Sequence, residues 1–183
     1  MAIENVETKL QEARRFLDDM RDQEQRAFGD KAPFDQFLSA FLSATRSVDY
    51  RLRHECRTYP AWRDEWNVKN PSEDRLIKSM VDVRDNEVHG SGSGLIKKTK
   101  EIKVGLGSSY SDKSGTLWSF GSPGPLIGAD TRATISKPQY FFDIDGIERP
   151  VTEVCAEYLA LLEHMVAQYK TAARASRRAT SCR

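Results

Sequence analysis

An arginine and a histidine near the end of one predicted helix are the residues of this chain whose types and spacing could do chemistry. They are Arg84 and His89, with Asp85 between them. An imidazole can both take and give a proton near neutral pH, because its reference pKa is about 6.5. A guanidinium offers a planar fork of N–H donors that suits a phosphate. His89 could therefore act as a general acid or base, worth roughly 10² to 10⁴ in rate, while Arg84 neutralises charge that builds on a phosphodiester.

The helix that must position these residues starts near Pro71 and has an apolar stripe. At intervals of four, three and four, the stripe contains Ile77, Val81, Arg84 and Val88. Arg84 is thus predicted among aliphatic neighbours, where an unpaired charge would cost several kcal/mol. Its partner could be a ligand phosphate, a cluster of carbonyl groups, or a core carboxylate such as Asp49 or Asp35.

The five-residue spacing separates Arg84 and His89 by about 140° around an ideal helix. The two side chains do not converge on one straight helix. Either the last turn unwinds at Gly90, or two copies of the helix meet across a two-fold axis so that both motifs line one cleft. Asp85, four residues before His89, is well placed to orient the imidazole.

The segment resembles the signature of the HEPN superfamily, in which an arginine and a histidine lie four to six residues apart at the end of a helix. Asp85 matches the polar residue that commonly follows the arginine, and Gly90 matches the glycine after the histidine. The resemblance implies an all-helical homodimer that cleaves RNA without a metal or cofactor, through attack by the 2′-hydroxyl, with Arg84, His89 and Asp85 as its site. It also implies a toxin or defence role, with a possible antitoxin partner. The alternative is a catalytically inactive HEPN-type module that binds RNA or a nucleotide, or only dimerises.

Apolar residues at helical spacing predict long helices over about residues 5–28, 33–57, 71–89 and 150–175. Between the last two lies a segment rich in turn residues, 91–148, with predicted strands at 102–106, 116–120, 133–136 and 139–144. The predicted fold is therefore mainly α with a small β-rich insertion, and the resemblance implies a single HEPN-like antiparallel helical bundle over residues 1–183. Residues 176–183 are predicted to form a basic, flexible tail.

Composition limits the class of protein further. The chain has 183 residues and a net charge of +1, so any binding to an acidic polymer must come from local patches. Cys56, Cys155 and Cys182 are odd in number and far apart, which argues against a disulfide framework or a zinc site. No apolar run approaches the roughly 18 residues of a membrane span, and the N-terminus lacks a signal-peptide pattern. We therefore expect a cytoplasmic protein without a metal site.

Three other features have less specific explanations. The glycine-serine run 90–94 precedes Lys97 but lacks the Gly-Lys-Ser/Thr ending of a phosphate-binding loop, so a flexible linker is favoured. Trp62 and Trp66 could stack on bases, although burial against the predicted helices 33–57 and 71–89 is the better interpretation. His164, on the last helix, is interpreted as structural.

Overall fold

The first two predicted helices form and bury their apolar stripes against each other. In the computed structural model, α1 spans Ala2–Gln25 and α2 spans Lys31–Glu55. The buried side chains of the pair include Val6, Ala13, Leu17, Met20, Phe34, Leu38, Phe41 and Leu52. Since most helical stability in proteins comes from such packing, this pair supplies a large part of the core.

The structure describes residues 2–26, 31–89, 95–105, 109–111, 117–119, 132–144 and 146–181. It describes the side chains of residues 5–26, 31–86, 95–98, 138–144 and 146–175. The predicted glycine-serine linker at 90–94, the side chains of the basic segment 176–183, and Cys182 lie outside these ranges.

Two shorter helices follow, separated by a single residue. Helix α3 spans Tyr59–Lys69 and α4 spans Pro71–His89. The Asn70 side chain and backbone N–H both donate to the Trp66 carbonyl, at 2.8 and 2.9 Å, which closes α3. The Asn70 carbonyl accepts from the Asp74 N–H at 3.0 Å and so begins α4. One asparagine therefore ends one helix and starts the next.

The last helix, α5, spans Val151–Ser181 and packs across the bundle. Its buried face includes Val154, Tyr158, Leu162, Met165 and Tyr169, with spacings of three and four. Polar contacts tie it to α1: Arg14 Nη2 lies 2.6 Å from Glu163 Oε1, and Thr152 Oγ1 donates to Glu24 Oε2 at 2.8 Å.

A small antiparallel sheet is inserted between α4 and α5. Its strands are β1 (Ile96–Gly105), β4 (Arg132–Ile144) and β5 (Ile147–Pro150), in the order β1-β4-β5. Strands β2 (Ser109–Ser111) and β3 (Leu117–Ser119) pair separately. The prediction of a mainly helical fold with a small β insertion is confirmed.

Strands β2 and β5 are not among the four predicted strands, and the strands predicted at 133–136 and 139–144 form the single strand β4. Ile144 pairs with Ile147, so a two-residue turn joins β4 to β5. Gly146 in that turn has φ of 77°, a left-handed conformation that glycine adopts without strain. Asp143 Oδ1 accepts from the Gly146 N–H at 2.9 Å. An Asp-Gly pair between apolar residues is a common hairpin signal and could have identified β5.

Strand β4 connects the insertion to the helical core. Tyr140 and Phe142 are each 1% exposed, while Phe141 between them is only partly buried, as expected for a strand with one face inward. The Tyr140 ring stacks on Phe34 of α2, with centroids 3.9 Å apart. The inserted sheet is therefore packed against the helices through its central strand.

Within the described part of the chain, no helix combines the length and apolar character that a membrane span requires.

Candidate functional site at the end of α4

Helix α4 holds Arg84 at the border of the core. Glu73 and Asp74 lie in its first turn, where acidic residues favour the positive end of the helix dipole. Ile77 and Met80 are buried, and the side chain of Arg84 is 28% exposed. Arg84 thus lies partly within the apolar stripe, as its spacing predicts.

Arg84 has an ion-pair partner that its spacing did not suggest. Its Nη1 donates to Oδ1 of the adjacent Asp85 at 3.0 Å, and the Asp85 side chain is 48% exposed. Arg84 Nε is buried and has no hydrogen-bond partner. The guanidinium therefore keeps donor capacity beyond its contact with Asp85.

The two core carboxylates considered as partners for Arg84 are engaged elsewhere. Asp35 lies 3.2 Å from Lys31 Nζ, one turn away on α2. Asp49 accepts from Arg53 Nε at 2.6 Å and from the Tyr59 hydroxyl at 2.9 Å. Neither carboxylate forms an ion pair with Arg84 in the described part of the chain.

His89 is the last residue of α4. Its backbone position five residues after Arg84 corresponds to a rise of about 7.5 Å along an ideal helix. The His89 side chain lies outside the described residues, so the predicted contact between Asp85 and the imidazole stays a prediction. The structure brings Arg84 and Asp85 together and places His89 at the helix end beyond them.

A second arginine, Arg63 on α3, is buried more completely. Its side chain is 3% exposed. Its Nη2 is 3.5 Å from Asp74 Oδ1, its Nε is 3.9 Å from Asp49 Oδ1, and its Cζ lies 4.8 Å from the centre of the Trp66 ring. Both Nε and Nη1 lack a hydrogen-bond partner. A buried guanidinium with one long hydrogen bond is unusual, because unsatisfied buried donors are costly.

Arg63 lines a cavity of about 220 Å³ between α2, α3, α4 and α5, called here the Arg63 cleft. Helices α2 and α3 contribute mainly polar residues, including Arg46, Asp49, Arg53 and Asn67. Helices α4 and α5 contribute Ile77, Val81, Leu162 and Met165, together with Asp74, Lys78, Asp82 and Tyr158. The lining from α2 and α3 is therefore polar, and half of the lining residues from α4 and α5 are apolar.

Two tyrosines beside the cleft have perturbed acidity. Burial raises the pKa of Tyr59 above its usual range, and the negative charge of Asp49 adds to the effect. Burial raises the pKa of Tyr158 to about 12. Both phenols are therefore protonated at neutral pH, which suits the hydrogen bond that Tyr59 donates to Asp49.

Arg63 is absent from the residues predicted to be functional, although its spacing carried a signal. It lies four residues after Tyr59 and three before Trp66, both of which are buried. That spacing places a charge on the aromatic face of α3. Only the tertiary structure shows that α2 and α4 bring Asp49 and Asp74 to the same point.

Trp66 is buried and Trp62 is partly buried, but the described contacts of their rings with another helix are to α5, whereas burial against α2 and α4 was predicted. Trp62 and Trp66 share a face of α3, with ring centroids 6.4 Å apart. The partner helix is α5: Trp66 Nε1 donates to Gln168 Oε1 at 2.7 Å, and the Trp62 ring lies 5.3 Å from that of Tyr169. His164 is exposed on α5 and lies within hydrogen-bond distance of Gln168, at 2.8 Å.

No group of three or more His, Cys, Asp or Glu side chains is arranged to hold a metal ion among the described residues. Cys56 and Cys155 are free thiols. Comparisons of the chain with protein-family models, with curated proteins and with solved structures find no match. The case for a function therefore depends on the chemistry of the residues described above.

Proposed function

We propose that this chain is a metal-independent endoribonuclease of HEPN type that acts as a homodimer, with Arg84 and His89 as catalytic residues and Asp85 as a positioning residue. The observation that carries the proposal is the state of Arg84. It lies at the border of the core, its Nε is buried without a hydrogen-bond partner, and its carboxylate partner is its exposed neighbour Asp85.

A structural role for Arg84 would be better served by an internal carboxylate. An arginine that holds helices together usually pairs with a buried acid, because the attraction between the two charges offsets part of the free energy that each loses on leaving water. Asp35 and Asp49, the acids considered for that role, bind other cations. An unsatisfied buried N–H costs about 1–3 kcal/mol. That cost is removed if the guanidinium turns so that Nε meets a phosphate oxygen, so the arrangement favours anion binding.

The proposed reaction uses the 2′-hydroxyl of the RNA as the nucleophile. One imidazole takes the proton of the 2′-hydroxyl while the 2′-oxygen forms a bond to phosphorus. The bond from phosphorus to the 5′-oxygen breaks, and that oxygen receives a proton from an imidazolium, leaving a 2′,3′-cyclic phosphate and a 5′-hydroxyl. Arg84 stabilises the charge that grows on the non-bridging oxygens.

A dimer can bring together an arginine and a histidine that do not converge on one copy of α4. Arg84 and His89 are about 140° apart around α4, so one motif presents its two groups in different directions. Two motifs that face each other across a two-fold axis place both side-chain types in one cleft. Asp85 then holds the Arg84 guanidinium through Nη1 and leaves its other donors to the phosphate.

The proposal also covers location and partners. Free thiols at Cys56 and Cys155 suit a reducing cytoplasm, where we place the protein. An RNA-cleaving protein in that compartment needs restraint, so we include an antitoxin-type inhibitor among its partners.

The deciding experiment compares the wild-type protein with Arg84→Ala and His89→Ala on RNA in the presence of a chelator. We expect the wild type to cleave RNA to products with 2′,3′-cyclic phosphate ends and these two variants to leave it intact. A substrate whose 2′-hydroxyls are methylated should not be cut by the wild type. Arg75→Ala, an exposed arginine on the same helix, is the matched control and should cleave normally. If the wild type binds RNA but never cuts it, the nuclease proposal is wrong. The second candidate, an inactive HEPN-type binding or dimerisation module, is then supported.

A further inference from the structure

We infer that the Arg63 cleft binds a small organic oxyanion, a carboxylate or phosphate ester with a compact apolar body. The cleft is separate from Arg84, which is not among its lining residues. The inference therefore does not depend on RNA cleavage. It depends on Arg63, whose buried guanidinium has two nitrogen atoms without acceptors.

The carboxylates near Arg63 make their closest contacts with other cations. Asp74 lies 2.6 Å from Lys78 Nζ but 3.5 Å from Arg63. Asp49 lies 2.6 Å from Arg53 but 3.9 Å from Arg63. Lys78 and Arg53 are much more exposed than Arg63. Each acid thus gives one oxygen to an exposed cation at 2.6 Å and leaves its other oxygen 3.5 Å or more from Arg63, so the buried guanidinium lacks a close acceptor.

The charges around the cleft favour an anion. Four basic side chains line it, Arg46, Arg53, Arg63 and Lys78, against three acidic ones, so one positive charge is in excess. A second buried polar atom, Asn67 Oδ1, also lacks a partner and could accept from a hydroxyl or amide of the same ligand. Guanidinium groups in water-poor sites bind oxyanions more strongly than in bulk water.

The size and lining of the cleft limit the ligand. A cavity of about 220 Å³ is smaller than the roughly 300–1,000 Å³ of sites for drug-sized molecules. Ile77, Leu162 and Met165 add apolar surface to a lining that also contains the basic side chains. A compact molecule with one anionic end and one apolar end fits such a lining.

The test titrates the full-length protein with benzoate, isobutyrate, ribose 5-phosphate and inorganic phosphate. Benzamide and ribose are the uncharged analogues of two of these probes. The Trp66 indole N–H is the NMR reporter, because its ring lies beside Arg63 and its N–H is hydrogen-bonded within the fold. We expect saturable shifts of that signal and a higher melting temperature with at least one organic oxyanion, and neither with its uncharged analogue. The probe that binds shows whether the site prefers a carboxylate or a phosphate.

Variants connect the signal to the cleft. We expect Arg63→Met to weaken binding at least tenfold, as loss of a charge-assisted hydrogen bond implies. Arg46→Gln, at the exposed rim, should weaken it by a few-fold, and Arg75→Gln and Arg84→Ala should leave it unchanged. If Arg63→Met does not fold, the affinity of Arg46→Gln for the same probe provides the test.

The inference is overturned if millimolar concentrations of every probe leave the Trp66 signal unmoved, which would mean that ordered water alone satisfies Arg63. Equal binding of benzoate and benzamide, or unchanged affinity in the folded variants of Arg63 and Arg46, would also overturn it.

Discussion

Two arginines in this chain keep unused hydrogen-bond donors for different reasons. Arg84 is partly exposed and pairs with the residue next to it, so its other donors can face an incoming phosphate. Arg63 is buried beneath helices whose carboxylates are closer to other cations. The first arrangement suits a large substrate that reaches the surface, and the second suits a small one that enters a cleft.

Asp49 connects more of this cluster than any other acid near the cleft. It accepts from Tyr59 and Arg53 and is the carboxylate nearest to Arg63 Nε. We predict that Asp49→Ala lowers the free energy of unfolding by about 3–5 kcal/mol, because it removes the acceptor of the buried Tyr59 hydroxyl and one of the two carboxylates near Arg63. Urea denaturation would measure the loss. Asp64→Ala, at an exposed position on α3, is the control and should change stability by less than about 0.5 kcal/mol. A similar small loss for Asp49→Ala would show that Arg63 does not need this partner.

The buried tyrosines predict how stability changes in alkali. A phenol whose pKa is raised by folding is more readily ionised in the unfolded chain, so its contribution is complete below the unfolded pKa of about 10 and is lost above it. Burial raises the pKa of Tyr158 to about 12, so the loss for this residue falls between about pH 10 and pH 12. It amounts to roughly 2–3 kcal/mol. The buried Cys155 thiol, whose pKa burial also raises, adds a loss that begins near pH 9.

Denaturation at several pH values tests this expectation. The unfolding free energy of the wild type should start to fall near pH 9 and fall further between pH 10 and pH 12, where that of Tyr158→Phe should fall less steeply. Tyr50→Phe, at a tyrosine that is 61% exposed, should follow the wild-type curve. Parallel curves for Tyr158→Phe and wild type would show that Tyr158 titrates alike in both states.

The positions of the helices could largely be predicted from the sequence, whereas the contacts between them could not. Each long helix has a stripe with spacings of three and four, so α1, α2, α4 and α5 follow from sequence within a few residues at most ends. Helix α3 was harder, because Pro60 and the aromatic residues in it do not form a long stripe. The Arg63 cleft needs four helices to meet, and no local pattern encodes such a meeting.

The strands of the β insertion could also be predicted in part from the sequence, whereas their pairing and contacts could not. Its composition predicts strands, but the pairing of β1 with β4 joins residues far apart in the chain, such as Ile96 and Phe141. A period of two within β4 identifies which residues share a face without showing what that face contacts. The stacking of Tyr140 on Phe34 is a tertiary fact that only the structure supplies.

Neighbouring residues of β4 provide a test of that anchoring. We predict that Tyr140→Ala destabilises the protein by about 3–5 kcal/mol, because it empties a buried aromatic site between the sheet and α2. Phe141→Ala should cost about 1 kcal/mol or less, since Phe141 is only partly buried and its ring faces the exposed Lys98. Thermal unfolding of the two variants gives the comparison. Equal losses would mean that the sheet does not depend on its inner face for attachment.

The proposed nuclease depends on an assembly of two chains. If both copies of the motif line one cleft, an Arg84→Ala chain can supply the histidine and a His89→Ala chain can supply the arginine. We predict that mixing Arg84→Ala with His89→Ala, followed by refolding together, restores part of the cleavage activity. Random reassociation would make about half of the dimers mixed, and each would keep one arginine and one histidine in its cleft.

Controls make this result specific to pairing across the dimer. Each variant refolded alone should stay inactive, and the mixture should recover nothing when the chains are combined without refolding, provided that exchange between dimers is slow. A doubly substituted chain mixed with Arg84→Ala should stay inactive, because no arginine then reaches the cleft. If the first mixture remains inactive while sedimentation shows dimers, cleavage needs either both imidazoles of the dimer or an Arg84 and a His89 of the same chain. In the second case α4 must unwind near Gly90 to bring the two together, and the cleft would belong to a single chain.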